Sequence, residues 1–325
     1  MLQTSGKKVA VVRCGALGDV LLLLPFLNAL QRTRPASLDL ITDARFVRLL
    51  SRFSCVDRVF SQDDVNLWRI YGTCSEENAF FSRYDAVLAY LTDPDGTAGS
   101  SLRRTVPGPA RVCPPFPDGP EPVHMSEFYL KASGVNLPSA FLSNPGFQLD
   151  PEALDHARKL VGPGPSRVWA IHPGSGGERK NWPLPRFLAV AGWLKNAGFK
   201  TLLILGPAEE KMAGEILSAF RPVGPRVVRN VPLETLAGVL SLCRGYMGND
   251  SGITHLASVM GIPTMGIFCA TDPKRWGPLG NEVRILQSGN PEPPPGTQRP
   301  SEDSHWPTAD KAIRVLEELT ANRGG

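Results

Sequence analysis

The chain of 325 residues carries 42% apolar and 20% charged residues with a formal net charge of +4, which excludes a disordered polyelectrolyte and is too weak a basic surplus for a dedicated nucleic-acid binder. At roughly 100 to 200 residues per domain the length predicts about two domains. The 32 glycines and 31 prolines fall in discrete clusters without a period, so they punctuate turns and exclude a collagen-like or low-complexity chain.

Short β-branched or apolar runs alternate with helical patterns along the chain, which predicts βα units and parallel sheets. The first half offers strands at Val9–Arg13, Leu38–Thr42, Arg58–Phe60 and Ala86–Tyr90. The greasiest run, Val20–Leu27, follows Gly18 and Asp19 rather than a basic segment. It is far short of the ~20 apolar residues of a membrane span, and it reads as a buried helix, not a signal peptide. Thr92–Val123, mostly Pro, Gly and polar residues, reads as a long functional or mobile loop. Pro151 begins a helix that ends near Gly162, and Gly162–Ser166, G-P-G-P-S, reads as a hinge between domains. Beyond it lie strands at Val168–Ile171, Thr201–Leu205, Val227–Arg229, Thr264–Phe268 and Val283–Leu286, with helices from Pro185 and Pro232. The Pro-rich stretch Ser288–Pro307 leads into a last helix, Ala309–Ala321, that could pack back across the junction. The expected fold class is therefore α/β, with two Rossmann-like doubly wound domains over 1–162 and 163–308.

Cys14, Cys55, Cys74, Cys113, Cys243 and Cys269 include no C-x-x-C pair. Neither a zinc knuckle nor a disulfide framework is expected, and a reducing, cytoplasmic compartment fits.

Four motifs sit where predicted strands end, the place where ligands bind in open parallel sheets. In R-C-G-A-L-G-D (13–19), Gly15 and Gly18 let the backbone approach a ligand closely, and Asp19 falls at the N-cap or first turn of a helix, where it could equally serve as a cap alone. The spacing is not that of a dinucleotide fingerprint. In H-P-G-S-G-G-E-R-K-N-W-P (172–183), the turn through Gly174, Ser175, Gly176 and Gly177 can aim N–H groups at an anion, with Ser175 and Lys180 adding donors. In M-G-N-D-S-G-I-T-H-L-A-S (247–258), a short strand passes through Asp250, Ser251 and Gly252 into a helix whose N-terminus suits a phosphate. His255 lies about one turn after Ser251; simple capping and a packed core histidine are the plainer readings. Thr271 and Asp272 of F-C-A-T-D-P-K-R-W-G-P (268–278) could cap or contact a ligand. Asp93-Pro94-Asp95, followed by Gly96, reads as a turn, and no metal site is expected.

Taken together, R-C-G-A-L-G-D-V-L-L-L-L-P, H-P-G-S-x-x-x-x-K-x-W-P, G-N-D-S-G-x-x-H-L-A and T-D-P-x-R-W-G-P resemble, in order and spacing over residues 13–278, glycosyltransferase family 9, the ADP-heptose:lipopolysaccharide heptosyltransferases. The resemblance implies a GT-B fold, two Rossmann-like domains facing a cleft, with the acceptor held by the N-terminal domain and the donor by the C-terminal one. It implies an inverting, metal-independent transfer with no cofactor, from a nucleotide sugar such as ADP-heptose to a hydroxyl of a lipid-linked lipopolysaccharide-core or related saccharide. On this resemblance Asp19 matches the general base and Gly15 and Gly18 lie on the acceptor side. Ser175, Gly176 and Lys180 match donor-phosphate positions, and Asp250, Ser251, Gly252 and His255 match the helix start at the diphosphate. Glu209 or Glu210 falls near an acidic position facing the nucleoside, the register between them being open. Arg45, Arg48, Arg52, Arg103, Arg104 and Arg111 are candidates for an acidic saccharide or for peripheral contact with the inner face of the inner membrane. A non-catalytic sugar-nucleotide-binding protein and a nucleotide-sugar epimerase are the alternative readings.

Overall fold

Val9–Val12 and Ala86–Tyr90 are buried along their whole length instead of alternating, as strands covered on both faces must be. In the computed structural model, which describes residues 3–72, 79–119, 122–138, 143–163, 167–287 and 306–321, they form β1 (Lys8–Arg13) and β4 (Ala86–Tyr90) of a five-stranded sheet completed by β2 (Ser37–Thr42), β3 (Arg58–Ser61) and β5 (Ala110–Cys113). The strands are parallel and stand in the order β3-β2-β1-β4-β5. Its helices are α1 (Leu17–Leu21), α2 (Leu24–Gln31), α3 (Val47–Leu50), α4 (Thr97–Thr105) and α5 (Met125–Ser133). The apolar run Val20–Leu27 is buried as expected, but it is divided between α1 and α2, with Pro25 in the first turn of the latter.

The second unit repeats the plan. Helix α6 (Pro151–Val161) precedes β6 (Val168–His172), and α7 (Leu184–Asn196), β7 (Lys200–Leu205), α8 (Ala213–Phe220), β8 (Arg226–Arg229), α9 (Leu233–Ser241) and β9 (Gly245–Asn249) follow. Then come α10 (Gly252–Val259), β10 (Thr264–Phe268), α11 (Pro273–Trp276), β11 (Val283–Gln287) and α12 (Ala309–Ala321). The parallel strand order is β11-β10-β9-β6-β7-β8. Counted from β6, this is the 3-2-1-4-5-6 order of a Rossmann sheet, and the first unit has its five-stranded equivalent. The direction of winding reverses between β1 and β4 in one unit and between β6 and β9 in the other. The carboxyl ends of those strand pairs are the expected binding positions.

The structure differs from the sequence expectation in three places. The chain divides into Met1–Gln148 and Leu149–Gly325, ahead of the boundary expected at 162/163, because α6 packs on α9. Small residues permit that contact: a Cβ built on Gly238 would lie 3.0 Å from the Ala157 Cβ. Residues 164–166 of the expected hinge lie outside the described residues. Second, α12 packs within its own unit. Ala312, Leu316 and Leu319 enter the second unit's core, and the Trp182 indole N–H donates to the Pro307 carbonyl at 2.8 Å. Residues 288–305 of the preceding Pro-rich stretch lie outside the described residues. Third, the expected loop Thr92–Val123 contains α4 and β5. Ala98, Leu102 and Thr105 give α4 a buried face, while Asp93 accepts from the N–H groups of Ala98 and Gly99 at 2.9 Å and Asp95 accepts from that of Thr97. The D-P-D-G segment is thus a turn whose carboxylates cap a helix.

Candidate functional site

In the first unit the segment between β1 and α1 curls around an ion pair. Asp19 occupies the first turn of α1, not its N-cap, which is Ala16. The Arg13 guanidinium lies 3.3 Å from Asp19 Oδ2, with the arginine side chain 4% and the carboxylate 18% exposed. Arg13 Nε donates to the Tyr129 hydroxyl at 3.0 Å, and that hydroxyl donates to the main-chain carbonyl of Asp19 at 3.1 Å. Burial, the dominant cause, pushes the Tyr129 phenol up to about 12 against the opposing pull of Arg13, so it stays a proton donor in this contact. Gly15 adopts φ +127°, and a Cβ there would come within 3.2 Å of Asp19 Oδ2. A side chain there is strained by conformation, and its Cβ would push the Asp19 carboxylate aside by a few tenths of an ångström. Gly18 lies within α1 beside Asp19. At the ends of β4 and β5 an open groove of about 450 Å³ is lined by Thr92, Asp93, Cys113, Pro115, Phe116 and Asp118, among others.

In the second unit three loops meet at the β6/β9 switch point. The Lys180 ammonium, on the turn after β6, donates to Asp250 Oδ2 at 2.7 Å, and the Thr271 hydroxyl, after β10, donates to the same oxygen at 2.6 Å. His255 Nε2 lies 3.8 Å from Asp250 Oδ1. Burial of Asp250 by itself favours the neutral acid, but His255, Lys180 and Thr271 together outweigh it and hold the carboxyl down at about 2. Ser251 is the N-cap of α10 and accepts from the Thr254 N–H at 3.4 Å, and Gly252 opens the helix. The buried Asn249 fastens the loops together: its amide donates to the Pro173 carbonyl at 2.7 Å and its carbonyl oxygen accepts from the Trp182 N–H at 3.0 Å.

Glu209, one of the two acidic candidates, turns inward. It is 3% exposed, accepts from the Gly206 N–H at 2.6 Å and lies 3.4 Å from His172 Nε2. Burial works to raise its carboxyl, and the His172 and Gly206 contacts outweigh that and lower it. Glu210 points away, binding Arg229 at 2.6 Å and Asn230 at 3.1 Å.

The structure thus gathers Lys180, Asp250, Ser251, Gly252 and His255, with Glu209 bridged to Ser251 through His172, whose Nδ1 is 3.4 Å from the Ser251 hydroxyl. Ser175 behaves differently from the expectation of a projecting donor: its hydroxyl lies 2.7 Å from the Gly177 carbonyl and 2.8 Å from Asn181 Oδ1, so it braces its own turn. Gly176 faces open space. Asp272 caps α11 through the Lys274 N–H. Of the arginines considered for an acidic partner, Arg45 is already engaged bidentately by Asp43. Sequence reasoning overlooked Arg13, Tyr129 and His172 as site residues. The available signal was that Arg13 and His172 are each the last residue of a strand beside the switch point.

This arrangement, two Rossmann-like units with donor groups collected at the switch point of the second, defines the GT-B fold. The fold is shared over 98% of this chain and 100% of its counterpart, at a TM-score of 0.73 and 16% identity, with the ADP-heptose lps heptosyltransferase II of E. coli. The chain belongs to glycosyltransferase family 9 (heptosyltransferase), whose model matches residues 122–306. Lipopolysaccharide heptosyltransferase 1 of Pseudomonas aeruginosa is 26% identical over 309 residues, covering 87% of this chain and 84% of that protein. Lipopolysaccharide heptosyltransferase 2 of Salmonella typhimurium is 25% identical over 115 residues, so that match spans only 34% of this chain and 33% of that protein.

Proposed function

We propose that this protein is an inverting glycosyltransferase that moves a heptose from ADP-heptose to a hydroxyl of a lipid-linked lipopolysaccharide-core saccharide, in the cytoplasm and in peripheral contact with the inner face of the inner membrane. The observation that carries the donor half is the cluster of Lys180, Asp250 and the α10 N-terminus at the β6/β9 switch point, together with membership of the family. The first-turn N–H groups of α10 and the Lys180 ammonium suit the two phosphates of the donor. Glu209 is the acidic group for the nucleoside side, and the open space at Gly176 is room for a phosphate.

Asp19 is the general base. An acceptor hydroxyl must lose its proton as it attacks, which a carboxylate within hydrogen-bond reach provides. Attack on the face opposite the leaving group inverts the anomeric centre in one displacement. The departing diphosphate gains charge, and Lys180 with the α10 N-terminus meets it without a metal ion. Turnover is expected to persist in EDTA.

The first test is calorimetric binding of ADP, UDP, GDP and CMP, because a ligand that binds the native state raises apparent stability. Selective binding of ADP supports the donor assignment, and preference for another nucleotide removes it. Asp19→Asn is expected to cut transfer to a small residual rate while ADP affinity is retained. Donor binding with no transfer by the wild type would leave a non-catalytic sugar-nucleotide-binding protein.

A further inference from the structure

The base proposed above is held from behind by a second residue, an inference that rests on the reading of Asp19. Arg13 ends β1 and is 3% exposed. A guanidinium is kept out of water only where its donors and its charge are met. Nε donates to the Tyr129 hydroxyl and Nη1 to the Cys14 carbonyl, the latter at 2.6 Å. Nη2 is buried, makes no hydrogen bond and lies 3.3 Å from Asp19 Oδ2. Nη2, the nitrogen of the fork that has no hydrogen-bond partner, is thus turned towards the carboxylate.

Three further features single out this pair. The Tyr129 hydroxyl, having taken the Arg13 Nε–H, donates its own proton to the main-chain carbonyl of Asp19, so side chain and backbone of Asp19 are both fixed. Gly15 passes so close that a Cβ would come within 3.2 Å of Asp19 Oδ2 and 3.4 Å of Arg13 Nη1. Phe116 covers the outer side of the guanidinium with its ring centroid 5.0 Å away, while remaining 44% exposed on the wall of the β4/β5 groove. Packing alone asks for no cation at the end of β1, since an apolar side chain of similar volume would avoid the desolvation cost.

We infer that Arg13 is the positioning residue for Asp19: it holds Oδ2 by charge and leaves Oδ1 to receive the proton. In the transfer step the acceptor oxygen bonds to the anomeric carbon as its proton passes to Asp19 Oδ1. The bond from that carbon to the donor's phosphate oxygen breaks, and its electron pair leaves on ADP. Arg13 exchanges no proton and touches no substrate.

The test measures ADP release from ADP-heptose with a heptose-lacking lipopolysaccharide core saccharide as acceptor, in the wild type, Arg13→Gln, Arg13→Lys, Asp19→Asn and the double variants. Arg13→Gln is expected to lower kcat roughly 10- to 100-fold, the scale of a misplaced reacting group, with acceptor KM and ADP affinity unchanged. Arg13→Lys, which returns the cation, is expected to recover part of kcat. In the Asp19→Asn background, either change at Arg13 should alter residual turnover by less than about twofold, because residues acting as one unit are not additive. Wild-type kcat in Arg13→Gln overturns the inference. So does an Arg13 change that slows Asp19→Asn as much as it slows the wild type, which is what a purely structural role produces. If Arg13→Gln does not fold, the Arg13→Lys cycle carries the same criterion. Full turnover by Asp19→Asn removes the base reading itself, a failure seen before Arg13 is altered, and no ADP release by the wild type overturns both.

Discussion

The ammonium of Lys180 lies 2.7 Å from the Asp250 carboxylate, joining the turn after β6 to the start of α10. Lys180 is 36% exposed at its side chain and Asp250 is 7% exposed, so the lysine is the partner that can swing towards an incoming diphosphate. Lys180→Ala is expected to weaken ADP binding by roughly 10- to 100-fold, the range for losing a charge-assisted contact of about 1.5–3 kcal/mol. Calorimetry with ADP reads this directly, and unchanged affinity would remove Lys180 from the donor site.

The Asp250 carboxyl also makes stability depend on acid. Burial opposes its charge, while His255, Lys180 and Thr271 prevail and hold it at about 2, against 3.8 for the ordinary group. Its contribution is therefore complete above about 3.8 and is lost as pH falls from there through about 2. The contribution is at most about 2 kcal/mol, reduced by solvent screening at the partly exposed Lys180. The melting temperature of wild type is expected to fall faster than that of Asp250→Asn between pH 4 and 2. Parallel curves would show that the pairing contributes nothing. Glu209, also lowered, acts in the same direction, so Asp250→Asn removes part of the acid sensitivity and not all of it.

Thr271 supplies the uncharged member of this cluster. Thr271→Val keeps the volume but removes the O–H donated to Asp250 at 2.6 Å. A loss of about 1–3 kcal/mol in unfolding free energy is expected, larger than for Thr271→Ser, which keeps the donor. Denaturant titration of the two variants makes the comparison.

The central strands were legible because β1, β4, β6, β7 and β10 carry unbroken apolar or β-branched runs, and the observed limits of the strands read from the sequence differ by a residue or less, whereas β5, short and half-exposed, was missed. The anion-binding loops were legible for a related reason: Gly, Ser, Asn and Asp after a buried run leave few alternatives to a turn. Other features depend on distant parts of the chain. The amphipathic pattern of α12 shows which face is buried but not against what, and Trp182 and Pro307 supply that answer. Helix α4 was concealed because Asp93 and Asp95 look like turn residues whether or not their carboxylates cap a helix. The choice between Glu209 and Glu210 turns on one residue of rotation in the short helix Pro207–Glu209, which sends one carboxylate to Gly206 and the other to Arg229. Arg13 reads as a strand end until the positive φ of Gly15 folds the chain back and brings Asp19 to it.

Gly174 gives the sharpest test of the Glu209 assignment. A methyl group there would overlap the Glu209 carboxylate, whose position is set by the Gly206 N–H and His172. Because Glu209 is 3% exposed, the carboxylate cannot move aside into water without breaking those contacts. Gly174→Ala is therefore expected to cost about 1–3 kcal/mol, as overpacking and loss of a buried hydrogen bond do, and to weaken ADP binding. The double variant Gly174→Ala/Glu209→Ala relieves the overlap, so its loss of stability should be smaller than the sum of the two single losses, while ADP affinity stays low. Recovered stability with recovered affinity would instead assign Glu209 a purely structural role. Additive losses in stability would show that the two residues do not meet at all.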